Sequence, residues 1–151
     1  MVGIVTSNIT KKTNIPRINI IGAMNQLSPI EAHKFLGNHP EAVFIDVRSD
    51  IEYLLIGHPK GAISIPWQND PDWQINPAFL GEVQKLASTD CPVVFICRSG
   101  RRSAEACRFL EEHGFRSVYY VSHGFEGDLD DKYHRSSVNG WRHDGLPWQQ
   151  F

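Results

Sequence analysis

The stretch Val93-Val94-Phe95-Ile96-Cys97-Arg98-Ser99-Gly100-Arg101-Arg102-Ser103 decides the fold class. Its first four residues form a short apolar run rich in β-branched side chains, the pattern of a strand buried on both faces. A thiol closes the run and a glycine follows. Ser103, Ala106, Cys107 and Leu110 then fall on one helical face, which Gly114 can end. Strand, tight turn and helix in that order are the repeating unit of an α/β sheet.

The flanking sequence repeats the unit. Ala42-Val43-Phe44-Ile45-Asp46-Val47, Ala62-Ile63-Ser64-Ile65 and Val118-Tyr119-Tyr120-Val121 read as strands, the second stopped by Pro66. Ser28-Pro29-Ile30-Glu31 combines an N-cap, a proline at the first helical position and a capping-box glutamate. Ala32, Phe35 and Leu36 give that helix its apolar face, and Gly37 offers it a stop. Asn76-Pro77 repeats the start signal before the amphipathic series Phe79, Leu80, Val83, Leu86, Ala87. Ser49 to Leu55 reads as a brief helix and Gln68 to Gln74 as a surface loop. Residues 1–24 are an N-terminal extension with a candidate edge strand at Ile18-Asn19-Ile20-Ile21; residues 25–151 are expected to form one domain. Strands separated by single helices imply right-handed crossovers, hence an α/β fold with a mainly parallel central sheet of about five strands and helices on both faces. Ligands of such sheets bind beyond the carboxyl ends of the strands. That rule points at Cys97.

Composition narrows the function. Hydrophobic residues at 41% and charged residues at 21% are globular values. A net charge of −2 leaves no basic surplus for nucleic acid, so any anion site must be local. No apolar run approaches the ~20 residues of a membrane span. Met1–Thr10 lacks a basic lead, with Lys11 and Lys12 coming only afterwards, so it is a poor secretory signal and the sequon Asn8-Ile9-Thr10 reads as chance. Three cysteines do not suggest a disulfide framework, and without C-x-x-C or paired histidines zinc is not expected. A cytoplasmic protein without cofactor or metal is the expectation.

Three features around Cys97 favour the ionised sulfur, the reactive form of a cysteine. A helix N-terminus presents unpaired N–H groups. A tight strand-to-helix loop turns amides inward as an anion nest. Arg98, Arg101 and Arg102 stand within five residues, always protonated. A packed, inert thiol is the ordinary alternative. Successive arginines at a helix start are electrostatically unfavourable without a counter-charge, however, and this supports the functional reading. The charge pattern selects a small doubly charged anion.

The loop resembles the active-site loop of the rhodanese family: cysteine, four residues, then a residue in the arginine position, here Arg102. Leu27-Ser28-Pro29-Ile30-Glu31-Ala32 is similar to that family's opening strand and helix. Ile45-Asp46-Val47-Arg48 with Glu52-Tyr53 resembles its first signature, and Gly57-His58-Pro59-Lys60-Gly61-Ala62-Ile63-Ser64-Ile65-Pro66 its second, with Pro59-Lys60 in place of the commoner apolar-proline pair. Gly124-Phe125-Glu126-Gly127 and Gly145-Leu146-Pro147 match its C-terminal pattern, so the resemblance covers roughly residues 27–148. The family's tryptophan is displaced: Asp128 stands where it is usual and Trp141 comes later. Residues 128–140 are thus an expected insertion and a candidate border of the active-site mouth.

The resemblance implies a sulfurtransferase in which Cys97 becomes a persulfide, Arg98, Ser99, Gly100, Arg101 and Arg102 bind the anionic donor, and Asp46, Arg48 and Ser103 support the site. The expected partners are a small anionic sulfur donor and a thiol or sulfur-carrier protein as acceptor. Arg48 is expected to pair with Glu52, and Asp46 to accept backbone hydrogen bonds. His58 is assigned to a turn, Cys91 to an incidental surface position and Cys107 to core packing. Trp67, Trp73, Trp141 and Trp148 are expected to pack against the sheet, with Trp67 and Trp73 as candidate cleft walls. The alternatives are a sulfur carrier, a non-catalytic rhodanese-like binding module, and a cysteine phosphatase or arsenate reductase. The last type places five residues between cysteine and arginine, where this chain has Ser103.

Overall fold

The computed structural model describes residues 25–151, so the candidate edge strand at residues 18–21 lies outside the described residues. Five strands, β1 (Gln26–Leu27), β2 (Val43–Asp46), β4 (Ile63–Ser64), β7 (Val93–Ile96) and β8 (Val118–Val121), form one sheet in the order β1-β8-β7-β2-β4. Every pairing in it is parallel. Helix α1 (Pro29–Asn38) connects β1 to β2, α2 (Phe79–Gln84) precedes β7, and α3 (Arg101–Glu112) connects β7 to β8. Two-stranded ribbons, β3 (His58–Pro59) with β9 (Trp148–Gln149) and β5 (Gln68–Asn69) with β6 (Gln74–Ile75), complete the chain.

The alternation of side chains along a strand explains the layers. Val93, Phe95 and Cys97 join the core that holds Phe79 and Val83 of α2 and Ala106, Cys107 and Leu110 of α3. Val94 and Ile96 point to the opposite core, with Ala32 of α1, Phe44, Phe125 and Trp141. A strand sealed on both sides must be apolar throughout, which is why the central run could be read as β. Leu110 is fully buried, worth about 1.5–3 kcal/mol against an exposed position.

Several boundaries differ from those expected. The Ser28 capping box forms, but α1 runs through Gly37 to Asn38 and stops at His39, the residue before Pro40, where helical geometry is disfavoured. Residues Glu52–Ile56 form a π-helical turn rather than a brief α-helix. The expected loop at Gln68–Gln74 is the β5–β6 ribbon. Helix α2 is short because its end tightens, Leu86 N donating to Val83 O at 2.9 Å. Among the described residues, no helix is long and apolar enough to cross a membrane.

The strand order reverses between β2 and β7. The chain passes from β2 outward to β4 and returns to the other side of β2 at β7. A crevice at the carboxyl ends of these two neighbours is the geometric consequence.

Candidate active site

Cys97 follows β7 directly and its loop is shaped from below. Phe125 N donates to Cys97 O at 2.7 Å, and Glu126 N and Gly127 N donate to Arg98 O at 3.0 and 3.1 Å. The turn after β8 thus takes up the first two carbonyls of the loop. Gly124 permits the approach: a Cβ there would stand 2.3 Å from Cys97 O and 2.6 Å from Arg98 C. With the carbonyls engaged, N–H groups face the sulfur. Gly100 N donates to Cys97 Sγ at 3.1 Å and Ser103 N at 3.4 Å, while Ser103 Oγ lies 3.2 Å away. Gly100 has φ +120°, a conformation that side chains resist, although space around its Cα is ordinary. The loop is a nest around one sulfur atom.

That sulfur is well covered. Cys97 is 1% exposed and belongs to the core beneath α3. Above the loop lies a cavity of about 540 Å³. Ser49, Ile51, Glu52 and Ile56, after β2, form one wall; Asp70 and Trp73, from the β5–β6 ribbon, form another. Arg98, Arg101, Arg102 and Glu126 also line it.

The three arginines have different surroundings. Arg102 is buried and makes a two-pronged ion pair with Glu52, Nη1 to Oε1 at 2.8 Å and Nη2 to Oε2 at 3.0 Å. Burial pushes the Glu52 carboxyl up, but the Arg102 guanidinium and hydrogen bonds from Ser49 outweigh it and hold the group at about 2. Ser49 and Glu52 bond reciprocally, Ser49 N to Oε1 at 3.1 Å and Glu52 N to Ser49 Oγ at 3.3 Å. Arg101 is exposed, with a 3.4 Å contact to Glu105 that adds little. The Arg98 guanidinium has no ion pair or hydrogen bond among the described residues.

The expected Arg48–Glu52 pair does not form. Arg48 is fully buried and binds Asp46 instead, Nη2 to Oδ2 at 2.6 Å and Nε to Oδ1 at 2.9 Å, and donates to Gly57 O at 2.6 Å. Two residues along an extended chain put both side chains on one face, so the near carboxylate wins and Glu52 is left to Arg102. Asp46 also accepts from Arg48 N at 3.1 Å, the backbone bond expected of it. Ser99 is half-buried in the loop, and Cys107 is buried in the core. His58 is buried in β3, stacked on Tyr53 with centroids 3.7 Å apart. Trp67 packs in the core and donates to Glu105 at 3.1 Å; of the two candidate wall tryptophans, Trp73 lines the cavity. Residues 128–140 contribute nothing to that lining. They fold back on the turn before them, Arg135 Nη1 donating to Gly127 O at 2.7 Å and Ser136 N to Glu126 O at 2.6 Å.

Sequence reasoning did not single out Glu126, Asp70 or the Arg102–Glu52 pair. Ser49-Asp50-Ile51-Glu52 did carry a signal, the capping-box spacing that immobilises the glutamate. Glu126 lies in the Gly124–Gly127 stretch that resembles the family pattern, but no local spacing rule gives it a role. Among the described residues, no three His, Cys, Asp or Glu side chains are grouped as metal ligands.

A family model for the rhodanese-like domain matches residues 28–130. The chain belongs to that family. A rhodanese-like fold accordingly accounts for the all-parallel sheet, and the crystal structure of Rv0390 from M. tuberculosis is similar to it at 36% identity and a TM-score of 0.75, covering 83% of this chain and 97% of that one. An uncharacterized protein of Rickettsia conorii is 31% identical over 132 residues, which span 84% of this chain and 98% of the relative. A thiosulfate sulfurtransferase of Haemophilus influenzae is 27% identical over 105 residues, spanning 70% of this rhodanese-like chain and 88% of that enzyme.

Proposed function

We propose that this rhodanese-like protein is a sulfurtransferase that takes a sulfane sulfur from thiosulfate or a related anion onto Cys97 and passes it to a thiophilic acceptor. One observation carries the reading: a sulfur atom that accepts two backbone N–H bonds in a loop whose arginines line the adjoining cavity. In the first step the Cys97 thiolate attacks the outer sulfur of thiosulfate. The Sγ–S bond forms, the S–S bond of thiosulfate breaks, and sulfite leaves with the electron pair. The product is an anionic persulfide at Cys97, stabilised by the N–H groups that faced the thiolate. In the second step a nucleophile such as cyanide takes the outer sulfur and Cys97 returns to thiolate, a ping-pong sequence.

The surroundings support a division of roles. Arg98 and Arg101, free of strong ion pairs, receive the sulfonate and offset charge growing on the leaving sulfite. Arg102 is a positioning residue, because its charge is committed to Glu52. Asp46 and Arg48 brace the end of β2, and Ser103 bonds the sulfur from the first turn of α3. Near-complete burial of Cys97 suits transfer of a single terminal atom better than attack on a bulky centre. Brief exposure to thiosulfate followed by mass spectrometry tests the reading: Cys97 should gain the mass of one sulfur atom, and cyanide should remove it. An unmodified Cys97, with turnover unaffected by Cys97→Ser, refutes it.

A further inference from the structure

The cavity wall after β2 is tied down at its far end. Glu52–Ile56 is a π-helical turn, a form that recurs at functional sites, and the last carbonyls of a helical segment lack partners within it. Side chains from three separate parts of the chain supply them. Gln150 Nε2 donates to Leu55 O at 2.9 Å, Arg142 Nη1 to Ile56 O at 3.4 Å and Arg48 Nη2 to Gly57 O at 2.6 Å. Arg48 is already committed to Asp46, and Gln150 is exposed. Arg142 is half-buried and, among the described residues, makes no ion pair. Its N donates to Phe125 O at 3.2 Å, and its guanidinium lies over the Phe125 and Trp148 rings, 5.3 Å from each centroid. Phe125 N in turn holds Cys97 O. One residue thus ties the clamp of the Cys97 loop to the wall that carries Glu52.

The aim of that guanidinium comes from the 128–140 segment. Arg142 Nε and Nη2 donate to Ser136 Oγ at 3.1 and 2.9 Å, and a guanidinium is a rigid fork, so Nη1 is left for Ile56 O. Ser136 is fixed in its turn by its N–H bond to Glu126 O. We infer that Arg142 is a positioning residue for persulfide formation, and that residues 128–140 act on the site through it: Ser136 aims Arg142, Arg142 holds the wall turn, and the turn delivers Glu52 to Arg102. This inference rests on the proposed function and gives a segment absent from the cavity lining a route to the chemistry. Arg102 is the end of the route. Burial opposes its charge, and the bond to Glu52, with a further contribution from the charge of Cys97, more than restores it. A wall turn that drifts takes Glu52 away from a guanidinium placed to act on the sulfur.

The test reads a rate constant rather than a yield. The full chain is mixed with thiosulfate over a range of concentrations, quenched at set times, and the sulfur adduct on Cys97 followed by mass. Molecules that fail to fold lower the final amount of adduct, whereas a displaced wall slows the approach to it. Arg142→Met keeps an apolar stem against the rings and removes every donor. Its maximal rate constant should fall about fivefold, the effect of one ordinary hydrogen bond. The half-saturating thiosulfate concentration should change by less than about twofold, because Arg98 and Arg101 are untouched. Ser136→Ala should slow loading about threefold with the same end point as wild type. A maximal rate constant equal to wild type in Arg142→Met, or a loss confined to the half-saturating concentration, overturns the inference. Should Arg142→Met fail to fold, Ser136→Ala decides, and an unchanged rate constant there overturns it. A wild-type Cys97 that takes up no sulfur removes the proposed function and this inference together; wild-type loading matched by both variants removes the inference alone.

Discussion

Two thiols flank the first half of α3, and burial does not tell them apart. Cys97 is 1% exposed and Cys107 3%, and both belong to one core. Their polar surroundings differ completely. Cys97 Sγ meets two backbone N–H groups and a hydroxyl, with arginine-lined space above the loop. Burial pushes the Cys107 thiol well above its ordinary range, and the charges of Glu111 and Cys97 push it further, against a smaller pull from Arg108. Exposure alone therefore does not separate the two thiols. What separates them is the set of dipoles fixed around each sulfur.

The contrast can be broken most severely at Cys97. Cys97→Ser should lower turnover with thiosulfate by at least about 1,000-fold and abolish the persulfide. Cys107→Ala should keep both and cost about 1 kcal/mol in urea unfolding. If the two variants behave alike in the mass assay, the distinction is wrong.

The next largest effect lies behind the loop. Gly124→Ala would drive a methyl group into Cys97 O and Arg98, so it should cost at least about 2 kcal/mol and remove persulfide loading. Gly37→Ala is the control: nothing lies within 4 Å of the added atom in α1, and a gain of about 0.5–1 kcal/mol is expected. Chemical denaturation of both, beside wild type, reads the difference.

A smaller effect sharpens the comparison through acid. Glu52 titrates at about 2 in the fold against an ordinary 4.5. Its folded value is depressed, so the Arg102–Glu52 pair contributes fully above the ordinary value and is lost as pH falls through 4.5 towards 2. Allowing for partial solvent contact, the loss should be about 1–2 kcal/mol. Glu52→Gln should flatten this part of the urea-midpoint profile, and an unchanged slope would deny the pair its role. The mildest prediction concerns Arg98→Ala, which should raise KM for thiosulfate several-fold, more at low salt than at high, with little change in the unfolding midpoint. An unchanged KM would remove Arg98 from the anion site.

What was legible in the sequence followed from local rules. Val93–Ile96 could be read because a strand sealed on both sides has no polar positions, and Ser28–Glu31 because a capping box is written in four consecutive residues. The loop from Cys97 to Ser103 was legible as a nest for the same reason. Partner choice was not. Arg48 could bind Glu52 or Asp46 on sequence grounds, and only the extended geometry at the end of β2 decides for Asp46. Glu126 reaches the cavity because the turn after β8 docks under the loop after β7, a contact across 28 positions of sequence that no local pattern encodes.

That docking also joins parts of the chain that are synthesised at different times. The carbonyl oxygens of Cys97 and Arg98 are received by the N–H groups of residues 125–127. A chain emerging from the ribosome would present Cys97 before residues 125–127, which clamp its loop, have been made. The shape of the Cys97 loop is thereby coupled to completion of the sheet.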